Sequence, residues 1–152
     1  MELLRKVAGF GTPTDDLKII YILFIRSILE QSCTVWHSSI TDENSNDLER
    51  VQKSAIKIIL QDSYKGYNSG LAQLEIESLK SRREQLCLSF ALKCVKSDKV
   101  RHMFPMNIKP HEMSTRHGEK FKVQHAHTDR LKNSPIIYMQ KLLNEHELKN
   151  KV

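Results

Sequence analysis

The chain has 152 residues, 39% of them hydrophobic, with only 5 Gly and 4 Pro, which excludes a low-complexity or wholly disordered polymer and leaves one modest core, or one core with an appendage. Its 3 cysteines are odd in number, include no Cys-x-x-Cys pair and follow no secretory signal, so reduced thiols in an intracellular setting, nuclear or cytoplasmic, are expected. The net charge of +6 is unevenly placed: residues 1–79 hold 8 Lys and Arg against 11 Asp and Glu, residues 80–132 hold 13 against 5, and residues 133–152 hold 3 against 2.

The first predicted element is a short helix over residues 2–7, ended by Gly9-Phe10-Gly11-Thr12-Pro13. Thr14 is placed to N-cap the next helix, with Asp15 and Asp16 in its first turn, where the helix dipole favours carboxylates. Residues 17–29 are apolar almost all round, Lys18 and Arg26 excepted, which predicts a helix at the centre of a bundle. A buried strand over residues 19–25 is the competing reading. That run is about a third of the roughly 20 residues a membrane span needs, so no transmembrane segment is expected. After the Cys33-x-x-Trp36 corner, Thr41 announces a second helix, with Asp42, Glu43, Asp47 and Glu49 early and Lys53 and Lys57 late. Its inward face is expected at Leu48, Val51, Ala55, Ile58 and Ile59, and its cationic face at Arg50, Lys53, Lys57 and Gln61. Residues 62–70 read as a loop with at most a turn of helix.

A third helix is predicted over residues 78–96, apolar over more than half of its circumference. Its remaining polar stripe is Arg82, Gln85, Ser89, Lys93 and Lys96. Such a stripe can track successive phosphates, or be the one solvated side of a helix packed on its others. Beyond Lys99 apolar periodicity fades and basic residues follow at Arg116, Lys120, Lys122, Arg130 and Lys132, which predicts an extended arm that orders on binding. Ser134 and Pro135 then start a last short helix over residues 136–148, with Ile136, Met139, Leu143 and His146 on one face. The expected class is therefore all-α: a small helical bundle (residues 1–100), a basic, partly extended arm (101–133) and a C-terminal helix (134–152).

No catalytic constellation emerges from the sequence. Asp15 and Asp16 are the only adjacent aspartates, and they have no acidic partner at a spacing that would let them converge on metal ions. His125 and His127 with Cys87 and Cys94 lack the tight ligand spacing of a zinc site. Cys33 and His37 lie one helical turn apart, yet Cys33 beside Trp36 reads as a small core residue, not a nucleophile. Gly9-x-Gly11 lacks the third glycine and the preceding strand of a phosphate-cradling loop. No catalytic residue, metal ligand or cofactor is expected.

Several segments, taken in order, resemble one family. Leu3-Leu4-Arg5-Lys6, residues 21–28, Cys33-Thr34-Val35-Trp36, residues 47–53 and Ile58-Ile59-Leu60 are similar to the region that follows the polymerase palm in non-LTR retrotransposon reverse transcriptases of the jockey and CR1 type. Residues 79–84, His102-Met103-Phe104-Pro105, residues 130–136 and Leu142-Leu143-Asn144 resemble the distal C-terminal portion of the same proteins. Two positions depart from that pattern: Gln31, where a tyrosine tends to precede the cysteine, and Gln61, where a glycine often ends the second helix.

The resemblance implies a helical thumb and C-terminal extension that grip an RNA/DNA duplex, with Met1 internal to a truncated element. The palm Asp-Asp motif and the magnesium it would bind are missing, so no polymerase activity is expected of the chain alone. The implied contacts are Arg82, Lys93, Lys96, Arg116, Lys120, Lys122, Arg130 and Lys132 meeting phosphates with little sequence preference, and the implied partners are duplex or RNA and the missing palm, with no membrane. A helical protein-interaction module, or a mobile-element remnant without function, is the other reading.

Overall fold

The computed structural model describes residues 1–106 and 120–150. In chain order its helices are α1 (Glu2–Gly9), α2 (Thr14–Ile20), a π-helical stretch (Tyr21–Arg26), α3 (Ser27–Leu29), α4 (Cys33–Trp36), α5 (Asp42–Leu60), α6 (Tyr67–Leu74), α7 (Leu79–Lys96), α8 (Asp129–Lys132) and α9 (Pro135–Asn150), with single 3₁₀ turns at Gln61–Ser63 and Arg101–Met103. The fold is all-α: among the described residues the only extended pairing is an antiparallel bridge between Met106 and Phe121. Contacts group the chain into two compact units, residues 1–32 with 40–83 and residues 33–39 with 84–152. The sequence pattern changes at 100 and 133; the compact units change at 33, 40 and 84.

Unit 1 is built on α5. Thr41 caps it as expected, its Oγ1 accepting from the Asn44 backbone N–H at 3.2 Å. The buried face is Gln52, Ala55, Ile56, Ile59 and Leu60, turned from the predicted one so that Leu48, Val51 and Ile58 are only half-buried. The reason is Gln52: Tyr21 Oη donates to its Oε1 at 2.9 Å, and its Nε2 donates to the Glu77 carbonyl at 2.8 Å, so the polar residue belongs inside and the apolar face rotates to suit it. Leu4, Leu17, Tyr21, Leu74 and Ile76 complete this core. Arg50, Lys53, Lys57 and Gln61 are exposed.

The apolar segment 17–29 does not run through the centre of a bundle. Leu17 and Tyr21, one turn apart, are buried, while Ile19, Leu23, Phe24 and Ile28 stand 52%, 60%, 60% and 70% exposed. A single face suffices because α1, α5 and α6 supply the rest of the core, and the stripe is fixed by the Tyr21 hydroxyl reaching Gln52. By length and composition alone Thr14–Trp36 is apolar enough to cross a membrane, with 11% of an apolar 18-residue window within it buried. A turn at residues 30–32 breaks it, and its continuous helical part, of 7, 6 and 3 residues, is about 24 Å long, short of a hydrocarbon core of about 30 Å. Thr14 is the first helical residue and not the cap; Pro13 holds that place, and Thr12 Oγ1 donates back to the Val7 carbonyl at 2.8 Å to finish α1.

Half of the predicted loop 62–70 is helix. In α6 Gly70 is buried, and a Cβ there would lie 2.5 Å from Ile56 Cγ2, so glycine permits the close approach to α5. The helix ends in a Schellman motif: Glu75 takes the left-handed position at φ 52°, its N–H donates to the Ala72 carbonyl, and Ile76 N–H donates to the Leu71 carbonyl at 3.0 Å. Glu49 ties the following helix down, Oε1 accepting from the Lys80 backbone N–H at 2.7 Å at the start of α7 and Oε2 from the Tyr67 hydroxyl. Burial first, and then the hydrogen bond with Glu49, raise the Tyr67 phenol well above its usual range.

Unit 2 takes α4 and most of α7 through α9. Ala91, Phe104, Phe121, Met139 and Leu143 form its core, with Leu88, Cys94 and Val95 against it. The buried face of α9 includes Ile137 and Gln140 beside the expected Met139 and Leu143. Ser38 Oγ donates to the Asn133 carbonyl at 2.7 Å, fastening the short early segment to the late one.

Candidate functional site

Seven of the eight expected nucleic-acid contacts lie among the described residues. Lys93 and Lys96 lie exposed in the last turn of α7, where cations complement the helix dipole. Arg130 and Lys132 are exposed on α8, a single turn capped by Thr128 Oγ1, which accepts from the Leu131 N–H at 3.3 Å. Lys122 is exposed and follows Phe121, its N–H donating to the Pro105 carbonyl at 2.8 Å; Lys120 is half-buried. Arg116 lies outside the described residues. Arg82 stands apart from the other seven. It belongs to unit 1, and its Nε is 3.4 Å from Glu30 Oε1, which also pairs with Arg26 at 3.7 Å, the carboxylate being 12% exposed. Arg26 and Arg82 thus share one sheltered carboxylate, and the Arg82 side chain remains 38% exposed.

The charge divides along the two units. Unit 1 contains 11 Lys and Arg against 11 Asp and Glu, while unit 2 contains 13 against 7, which is the whole excess of +6. Among the described residues, Lys93, Lys96, Lys122, Arg130 and Lys132 form no ion pair.

The described ends of the predicted arm are held by two amides on α9. Asn144 Oδ1 accepts from the Phe121 N–H at 2.8 Å and its Nδ2 donates to the Phe121 carbonyl at 3.1 Å, as a neighbouring strand would. One turn earlier Gln140, 2% exposed, accepts from the Gln124 N–H at 3.1 Å and donates to the Met103 carbonyl at 2.9 Å. These segments are therefore anchored, with Phe104 and Phe121 buried while most residues around them are exposed; the middle of the arm lies outside the described residues. Gln140 and Asn144 have no place among the sequence-predicted residues. Their signal was two amides four residues apart in a helix of otherwise apolar inward positions.

Between these segments and α9 opens a cavity of about 300 Å³, lined by His102, Met103, Pro105, Lys122, Gln124, Ile136 and Gln140. Among the described residues no carboxylate lines it. The residues considered for chemistry are dispersed by comparison. Cys33 is buried in α4, and the His37 ring meets the edge of Tyr138 at 5.5 Å between centroids. Burial, and then the charge of Glu84, push the Tyr138 phenol up to about 12. His125 and His127 touch edge to face at 4.6 Å. Among the described residues no group of three or more His, Cys, Asp or Glu is placed to hold a metal ion. Asp15 and Asp16 sit in the first turn of α2.

Fold and geometry define an all-α chain of two units, one neutral and one basic, the basic one with a preformed cavity. Set against known protein families, curated proteins and solved structures, the chain matches none.

Proposed function

We propose that the chain is a non-catalytic nucleic-acid-binding module of the kind that follows the palm in non-LTR retrotransposon reverse transcriptases, and that it holds RNA/DNA duplex or RNA through unit 2. The observation that supports this reading is the confinement of the net +6 to one compact unit whose exposed cations Lys93, Lys96, Lys122, Arg130 and Lys132 have no counter-ion among the described residues. Ammonium and guanidinium groups displace counter-ions from phosphates, giving affinity without sequence preference. Polymerase chemistry and magnesium would belong to a palm that this sequence does not contain, and that palm is a further partner.

Binding of a fluorescent RNA/DNA hybrid tests the proposal. With four or so phosphate contacts, affinity falls about a hundredfold between about 50 mM and about 200 mM salt. Equal affinity at both salts overturns it. A helical protein-interaction module is the second reading, favoured by the exposed stripe Ile19, Leu23, Phe24 and Ile28 on unit 1. It predicts that charge reversal at Lys93 and Lys96 leaves the chain's interactions unchanged.

A further inference from the structure

We propose that the cavity of unit 2 binds a single unpaired nucleotide, its base between Met103, Pro105 and Ile136 and its phosphate on Lys122. Volume sets the scale, since about 300 Å³ lies at the small end of ligand sites, the size of one heteroaromatic ring system with a short polar appendage. Charge sets the sign: among the described residues Lys122 is the only fully charged lining side chain, and no carboxylate is in the lining. The walls suit a flat ring, because a thioether, a proline and an isoleucine offer apolar and polarisable contact, and the His102 imidazole at the rim can stack on it. Gln124 brings an exposed amide that makes no hydrogen bond among the described residues and can pair with a base edge, while its backbone N–H donates to Gln140.

The cavity is also held open in advance. Gln140 fastens both of its loop walls to α9, through Met103 and Gln124, and the Lys122 N–H to the Pro105 carbonyl joins one wall to the other. A preformed site loses less ordering entropy on binding than one that must assemble. The inference shares Lys122 with the cations of the preceding section but stands on the cavity, while duplex binding also draws on Lys93, Lys96, Arg130 and Lys132 outside it, so either can fail without the other.

Calorimetric titration of the full chain with adenosine 5′-monophosphate, adenosine and inorganic phosphate tests it. Saturable binding of the monophosphate is expected, with adenosine and phosphate each at least about tenfold weaker, as loss of one charge-assisted contact or of the ring contacts would give. Lys122→Glu lowers affinity for the monophosphate about tenfold, and Gln124→Ala lowers it less, whereas Lys53→Glu on unit 1 leaves it unchanged. Both site residues are exposed, so the variants keep the fold. A hybrid with an unpaired terminal nucleotide binding more tightly than a blunt one places the ligand in a strand; equal binding with retained monophosphate affinity places it free in solution. Absence of saturation to about 10 mM, phosphate binding as tightly as the monophosphate, or indifference to Lys122→Glu overturns the inference. Hybrid binding that keeps its salt dependence through such a failure leaves the duplex-binding reading standing.

Discussion

Gln52 shows how one side chain sets the register of a helix. It is fully buried, yet both ends of its amide are used, by the Tyr21 hydroxyl and the Glu77 carbonyl. Burying a primary amide is unfavourable without partners and close to neutral with them, and the partners here come from two separate segments of unit 1. Replacing Gln52 by Leu keeps the volume but leaves a buried phenol hydroxyl and a carbonyl unmatched, at a cost of about 2–4 kcal/mol. Urea denaturation measures this, and Tyr21→Phe in the Gln52→Leu background should recover part of the loss, because the orphaned hydroxyl goes with it. Were Gln52→Leu as stable as the parent, the amide would not be setting the face of α5. Arg82 teaches the same lesson at the surface: sequence spacing placed it on a stripe with Lys93 and Lys96, but its partner Glu30 lies in a distant segment that no local pattern reveals.

At the scale of the element, helix ends decide how much could be read from the sequence. The start of α5 was legible because Thr41 and the acidic first turn act within four residues, and the structure places the cap there. Helix α6 was not, because Gly66 and Gly70 carry loop propensity while Gly70 is required by the approach of Ile56, a tertiary demand. The end of α5 falls between these cases. Gln61 takes φ 45° and ψ −117°, a conformation that glycine adopts without strain and glutamine does not. Its side chain is exposed, so nothing is lost from packing on truncation. Gln61→Gly should therefore stabilise the chain by about 1 kcal/mol, relief of left-handed strain outweighing the added freedom of the unfolded state. Thermal unfolding reads it, and a lower midpoint for the variant would mean that strain is not stored at that turn.

For the whole molecule, where the charge sits matters more than how much there is. The imbalance was legible as a basic second half, but its full separation into a neutral and a basic unit was not, because the boundary falls within α7, after Arg83, and so puts Lys80, Arg82 and Arg83 with the acidic early chain. The cavity was equally hidden, since it exists only where Gln140 draws two loops onto α9. Two variants separate placement from amount. Lys53→Glu with Lys57→Glu reverses two exposed cations on α5, and Lys93→Glu with Lys96→Glu reverses two on α7, with the same change in net charge. If association with a polyanion depended only on the net charge, both would weaken binding of an RNA/DNA hybrid alike. Contacts made by unit 2 instead predict that the α7 pair loses about tenfold or more at 100 mM salt, with a shallower salt slope by about two, while the α5 pair changes little in either. Fluorescence anisotropy across a salt series measures both quantities. Parallel losses in the two variants would return the binding to long-range attraction and remove the case for a defined interface on unit 2.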